Sequence, residues 1–391
     1  MSKVPVVPPA DAGFDEGTLE RLREVVRDDI EAGTVDGSII LLARGGRIVM
    51  HEAIGFSDRS KGRVAQVDDV LPVMSLTKQL TAATVFRFID RGRLGLTTRI
   101  AEVIPEFGRK GKERVTIREA LSHQAGLPTL SPIDDWQDSN EDYVARICEL
   151  PYDPAPANVA NYHAGAAHAV LGEVVRRLDG KGRPFRQILD EEILKPVGMA
   201  DTALTLVDRP DLVPRTAPIA MRDDSPDALP PRDVERIAEI CAKVEYPAGG
   251  AFSTAYDQFL FAEMFRHGGL AEGGRVLSPA IVKAATTIQT GDKLHGLFLA
   301  AADRDHTDHF PANIGLSLYV RGEGVFITNM GTLSSPSTFS GSGFGGQLFL
   351  VDPVRDVTFV HLVAGFPQLY NARKRSQRLS DLVMSSVIDP N

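Results

Sequence analysis

Cysteine is scarce in this chain: Cys148 and Cys241 are the only two among 391 residues. They lie far apart, with no Cys-x-x-Cys pair and no histidine at ligand spacing, which argues against a zinc site. A single bridge is also too little to indicate an oxidising compartment. Long apolar runs are missing as well. No stretch approaches the roughly 18 apolar residues of a membrane-spanning helix, and residues 1–9 lack the apolar core of a signal peptide. The expectation is a cytoplasmic protein with no membrane partner. Positive charge is in deficit, with 43 Lys and Arg against 52 Asp and Glu, a net charge of −9. That disfavours nucleic acid and anionic membranes as partners and leaves small neutral or cationic substrates open. One basic cluster stands apart, Arg373-Lys374-Arg375 with Arg378, and is expected to be a solvated helix face. Gly-x-Ser-x-Gly is absent, so nothing supports the nucleophile elbow of an α/β-hydrolase. No internal repeat is visible.

What is present is an ordinary globular composition, 43% hydrophobic and 24% charged, in a chain too long for one small core. Two domains or one large two-lobed unit is the expectation. Residues 17–32 place Leu19, Leu22, Val25, Val26 and Ile30 on one side, which predicts an amphipathic helix. Ile39–Ala43 and Arg47–Met50 flank Gly45-Gly46 and predict a hairpin. Residues 89–245 are mostly helical in pattern, including a capping box from Thr116 to Glu119 and helices over 166–178, 185–194 and 234–244. Strand patterns return at 314–320, 325–328, 347–351 and 357–363, followed by a helix over about 372–388. The predicted class is α+β, an antiparallel sheet flanked by N- and C-terminal helices with an inserted, mostly helical domain. Residues 1–70 and 246–391 form the sheet domain and 71–245 the helical one, with the active site in the cleft between them.

Within this frame, Val73-Met74-Ser75-Leu76-Thr77-Lys78 opens an apolar helix. Residues three apart share a helix face, so the Ser75 hydroxyl and the Lys78 amine can meet, and a lysine whose pKa is lowered by burial can take the serine proton. Tyr162, on a turn before the 166–178 helix, can enter a cleft and act as acid or base, or simply pack. The run Phe339-Ser340-Gly341-Ser342-Gly343-Phe344-Gly345-Gly346 allows close backbone approach of a ligand, or serves as a bulge or hairpin loop. His123, His163 and His168 read best as hydrogen-bonded structural histidines. His306-x-x-His309 reads as a surface loop rather than a metal site. Pocket specificity is expected from the loops at 129–143, 221–233 and 303–313.

Ser75-Leu76-Thr77-Lys78, Leu121–Pro128, Tyr162-His163-Ala164, Lys195–Thr202, Pro247–Thr254 and the Gly341–Pro353 segment together resemble the serine β-lactamase-like superfamily. The closest resemblance is to the family VIII carboxylesterases, which share the fold of class C β-lactamases and penicillin-binding proteins. It implies that Ser75 is the acylated nucleophile, with Lys78 and Tyr162 sharing the base and acid roles. The backbone N–H groups of Ser75 and Phe344 would form the oxyanion hole, and Gly341, Ser342, Gly343 and His163 would contact substrate. No cofactor or metal is implied, and the partner is a small-molecule ester. Two departures matter. Tyr162-His163-Ala164 lacks the Asn of class C Tyr-x-Asn, and Gly341 stands where a Lys, His or Trp is usual, removing a cation that would meet a β-lactam carboxylate. Hydrolysis of carboxylic esters is therefore the leading expectation. Acyl transfer or amide synthesis from the same acyl-enzyme, β-lactamase or D-amino-acid peptidase activity, and a non-catalytic binding protein follow as alternatives.

Overall fold

The computed structural model describes residues 5–127, 139–222 and 230–388. The first helix, α1 (Glu16–Glu31), is capped by the Asp15 carboxylate, which accepts from the Thr18 N–H at 2.8 Å and so satisfies one of the free N–H groups of the first turn. Its apolar stripe, Leu19, Leu22, Val25, Val26 and Ile30, is buried.

A hairpin follows, β1 (Gly37–Arg44) and β2 (Arg47–Asp58). Gly45 and Gly46 both have positive φ, 57° and 74°, the backbone that a tight two-residue turn between right-twisted strands demands. With β3 (Arg63–Val64), β4 (Tyr319–Val320), β5 (Phe339–Gly343), β6 (Gln347–Asp352) and β7 (Val357–Ala364), they make one seven-stranded sheet in the order β4-β5-β6-β7-β1-β2-β3. Every pairing in it is antiparallel.

The alternation along the strands sorts the core into two layers. Ile40, Leu42, Leu348, Leu350 and Phe359 face α1 and the last helix, α7 (Leu369–Ser385), while Ile39, Leu41, Phe349, Val351 and Val360 face the rest of the molecule. Since β1 is covered on both faces, its middle, Ile39–Ala43, is a continuous apolar run and all eight of its residues are buried. Against the second face packs α6 (Ala255–Arg266), and beyond it lies a helical region containing α2 (Thr77–Asp90), α3 (Asn140–Glu149), α4 (Ala166–Asp179) and α5 (Pro231–Lys243). The fold is the expected α+β one.

Three sequence expectations are corrected. Residues 325–328 are not a strand, although Val-Phe-Ile-Thr suits one. The buried guanidinium of Arg321 donates to the carbonyls of Gly322, Gly324, Gly331 and Thr332, so the backbone wraps around a side chain instead of joining a ladder, and Val325 is left 87% exposed. The strand expected over 314–320 shrinks to Tyr319–Val320, because Ser317 adopts a φ of 63° and its N–H turns away to the Leu121 carbonyl. The Arg373–Arg378 cluster is a solvated face only in part, with Lys374 and Arg378 exposed. Arg375 is buried and donates to Asp29 of α1 at 2.7 Å, Arg378 also reaches Asp29, and Arg373 is buried elsewhere.

Candidate active site

Ser75 sits in a single 3₁₀ turn, Met74–Leu76, that runs straight into α2. Met74 enters it with a φ of 50°, an uncommon conformation for a side-chain-bearing residue, and such strain persists only where surroundings hold it. Those surroundings are the segment 247–251. The Ala251 N–H donates to Thr77 Oγ1 at 2.9 Å, Thr81 Oγ1 donates to the Pro247 carbonyl at 2.6 Å, and the Val73 N–H donates to the Ala251 carbonyl at 3.0 Å.

Lys78 lies one turn on and is 2% exposed. Its Nζ is 3.0 Å from Ser75 Oγ and 2.7 Å from each of the Ala164 and Ala248 carbonyl oxygens. No carboxylate pairs with it among the described residues, and burial pushes its pKa down to about 7. A neutral amine has two N–H groups and one lone pair. The two carbonyls take the N–H groups, which leaves the lone pair facing the serine hydroxyl.

Tyr162 completes the group. It lines the cleft beside Ser75, and Lys78 Nζ lies 5.1 Å from its ring centroid. Burial is the main cause that pushes its pKa upward, with Tyr319 adding to the shift and the Ser75 side chain opposing it. Burial thus drives both groups toward their uncharged forms, a lysine amine and a tyrosine phenol. Behind Tyr162 the His123 ring packs at 4.4 Å between centroids, and His123 Nδ1 accepts the His163 N–H at 3.1 Å. His168 shares a 2.8 Å hydrogen bond with Ser317 Oγ. His163 accepts the Leu127 N–H and, held to about 4 chiefly by burial, is neutral. It lies behind the cleft wall rather than in it, so the substrate contact expected of His163 is not offered by this geometry.

On the opposite wall, β5 ends beside the serine turn. Ser342, Gly343 and Phe344 line the cleft with Ser75 and Tyr162, whereas Gly341 does not. A Cβ on Gly343 would stand 2.4 Å from the Val73 carbonyl, so glycine is what lets this strand approach the turn. A Cβ on Gly341 would meet Phe349 at 2.5 Å, and Gln79 Oε1 and Leu76 at 2.8 Å. The space that a third-segment cation would enter is therefore already filled.

The cleft holds about 510 Å³. Its walls are mainly apolar: Ile237, Ile240 and Cys241 from α5, Leu297 and Phe298, and Leu369 and Ala372 from α7. Cys241 is a free thiol pushed up to about 12 by burial and is no competing nucleophile. Helices thus form much of the wall that was expected from loops. Within those loops, residues 129–138 and 223–229 lie outside the described residues, and none of 303–313 lines the cavity. Of the His306-x-x-His309 pair, His309 Nε2 is hydrogen-bonded to Asp303 at 2.7 Å.

A serine, a buried lysine whose pKa is lowered to about 7 and a tyrosine, beside a sheet with core on both faces, define a serine hydrolase class. The chain belongs to the Beta-lactamase family, whose model matches residues 22–382. It is 28% identical to Esterase EstB of Burkholderia gladioli over 62% of this chain and 64% of that one. A penicillin-binding protein homologue from Caulobacter crescentus superposes with a TM-score of 0.76 at 26% identity, covering 96% of this chain and 99% of that one. A family VIII carboxylesterase structure shares the fold, with a TM-score of 0.72 at 20% identity over 94% and 98% of the two chains.

Proposed function

We propose that this β-lactamase-family hydrolase cleaves carboxylic esters through an acyl-enzyme on Ser75. The observation that carries the reading is the Ser75–Lys78 contact at 3.0 Å with Lys78 buried between two carbonyls. In the scheme, Ser75 Oγ attacks the ester carbonyl and its proton passes to the Lys78 amine. The oxyanion faces the Ser75 and Phe344 N–H groups, and collapse expels the alkoxide, which takes a proton through the Tyr162 hydroxyl. Water then attacks the acyl-serine by the same proton route in reverse and releases the acid. Similarity to an esterase supports the ester class. The filled space beside Gly341 weighs against β-lactams, since it leaves no room for a cation at that position.

A panel of p-nitrophenyl esters of graded acyl length, with nitrocefin alongside and Ser75→Ala as the blank, tests this. Ester turnover should fall by about three orders of magnitude or more in the variant, and nitrocefin turnover should be marginal in both. Nitrocefin turnover exceeding that of every ester would reverse the assignment.

A further inference from the structure

The cleft wall opposite the helical region holds a cation without an acidic partner. Arg373, on α7, is 7% exposed and lines the cavity. Its guanidinium carbon lies 4.8 Å from the Phe310 ring centroid, 5.0 Å from Phe298 and 5.9 Å from Tyr319. One N–H, on Nε, donates to the Ile327 carbonyl at 3.2 Å. Among the described residues no carboxylate pairs with it, in contrast to its helix neighbours Lys374, on Asp305, and Arg375, on Asp29. Burial lowers its pKa to about 10, so it remains a cation at neutral pH. The aromatic rings offset part of the cost of burying it but cannot accept its remaining in-plane N–H groups.

A second side chain on this wall is also unsatisfied. Asn329 is 3% exposed and lines the cavity, and neither its amide nitrogen nor its amide oxygen has a partner. A buried amide and a buried guanidinium with spare donors, on one wall of an apolar cleft, are a recognition pair awaiting an acceptor. One cation and one neutral donor match a singly charged acceptor. A phosphate dianion would retain half its charge uncompensated.

Resting on the hydrolase reading above, we propose that Arg373 and Asn329 form a carboxylate subsite, and that the ester taken by Ser75 carries a carboxylate at the far end of an apolar chain. Selection for an anion then comes from α7 rather than from the β5 strand, where Gly341 leaves none. It also runs against the chain's overall net charge of −9: a buried charge in a low-dielectric cleft outweighs a distant, screened surface.

The test compares the p-nitrophenyl monoester of adipic acid with p-nitrophenyl hexanoate, two acyl groups of equal length that differ in the terminal carboxylate. Wild-type kcat/KM should favour the adipyl ester about tenfold or more. Arg373→Met should bring that ratio to about one, mainly through KM. A second arm needs no turnover. Adipate should raise the Tm of the Ser75→Ala protein, hexane-1,6-diol at equal concentration should not, and adding Arg373→Met should abolish the adipate shift. If neither ester turns over, the hydrolase reading fails while the adipate shift still decides the subsite. If Arg373→Met does not fold, the wild-type ratio and the adipate–diol difference decide it. A wild-type preference of one or below, or an adipate shift that is absent or survives Arg373→Met, overturns the proposal.

Discussion

Lys78 shows how little is needed to turn a common side chain into a base. It has three polar neighbours, two of them backbone carbonyls, and burial alone lowers its pKa to about 7. The sign of the consequence follows from the charge types. A depressed lysine pKa means the reactive amine is scarce below pH 7 and dominant above it. In the ester reaction kcat/KM should therefore rise with pH through about 7 and level off, a limb measurable with a neutral p-nitrophenyl ester, and Lys78→Met should remove both the limb and about 10²- to 10⁴-fold of the rate. A flat profile between pH 5 and 9 would point to another base. At this scale the Ser75–Lys78 contact was legible in the sequence, because a three-residue spacing at a helix start places two side chains together, whereas Tyr162 stood out only through the family resemblance. The carbonyls of Ala164 and Ala248 were not, since a backbone oxygen carries no residue signature. Arg373 was misread for a related reason: periodicity indicates a helix face, not what packs over it, and Phe298, Phe310 and Tyr319 come from distant segments.

At the scale of elements, the two terminal helices are held to each other as well as to the sheet. Asp29 on α1 accepts from Arg375 and Arg378 on α7, and Arg375 also reaches Ser38 Oγ on β1 at 3.3 Å. Because Arg375 is buried, removing the acid strands a charge rather than merely deleting a pair. Asp29→Ala should cost about 3–5 kcal/mol, read as a lower urea midpoint with an unchanged slope, and Arg375→Met in the same background should recover part of it. A loss under about 1 kcal/mol would mean that the pair behaves as an exposed one. The helices and the β1–β2 hairpin were readable from apolar period and from Gly45-Gly46. The 314–328 segment was not, because the Arg321 guanidinium gathers the carbonyls of Gly322, Gly324, Gly331 and Thr332 around it, and nothing in the Val325–Thr328 pattern announces that side chain.

For the whole molecule, the sheet divides the core into two layers, and the start of α7 reaches round to the cleft. Residues facing α1 and α7 build a core remote from the serine, while those on the other face back the helical region and β5, whose end meets the Ser75 turn. Family and fold class were legible because several short segments recur in order along nearly the entire chain, and order over such a length is harder to meet by chance than any single motif. Which helices wall the cleft was not, since α5 and α7 reach it through tertiary packing alone. Acylation on Ser75 is read by intact-mass spectrometry with peptide mapping after exposure to a fluorophosphonate probe. One adduct per chain is expected, on the peptide containing Ser75, with concurrent loss of ester turnover and no adduct on Ser75→Ala. Labelling elsewhere, or full esterase activity retained by Ser75→Ala, would contradict it.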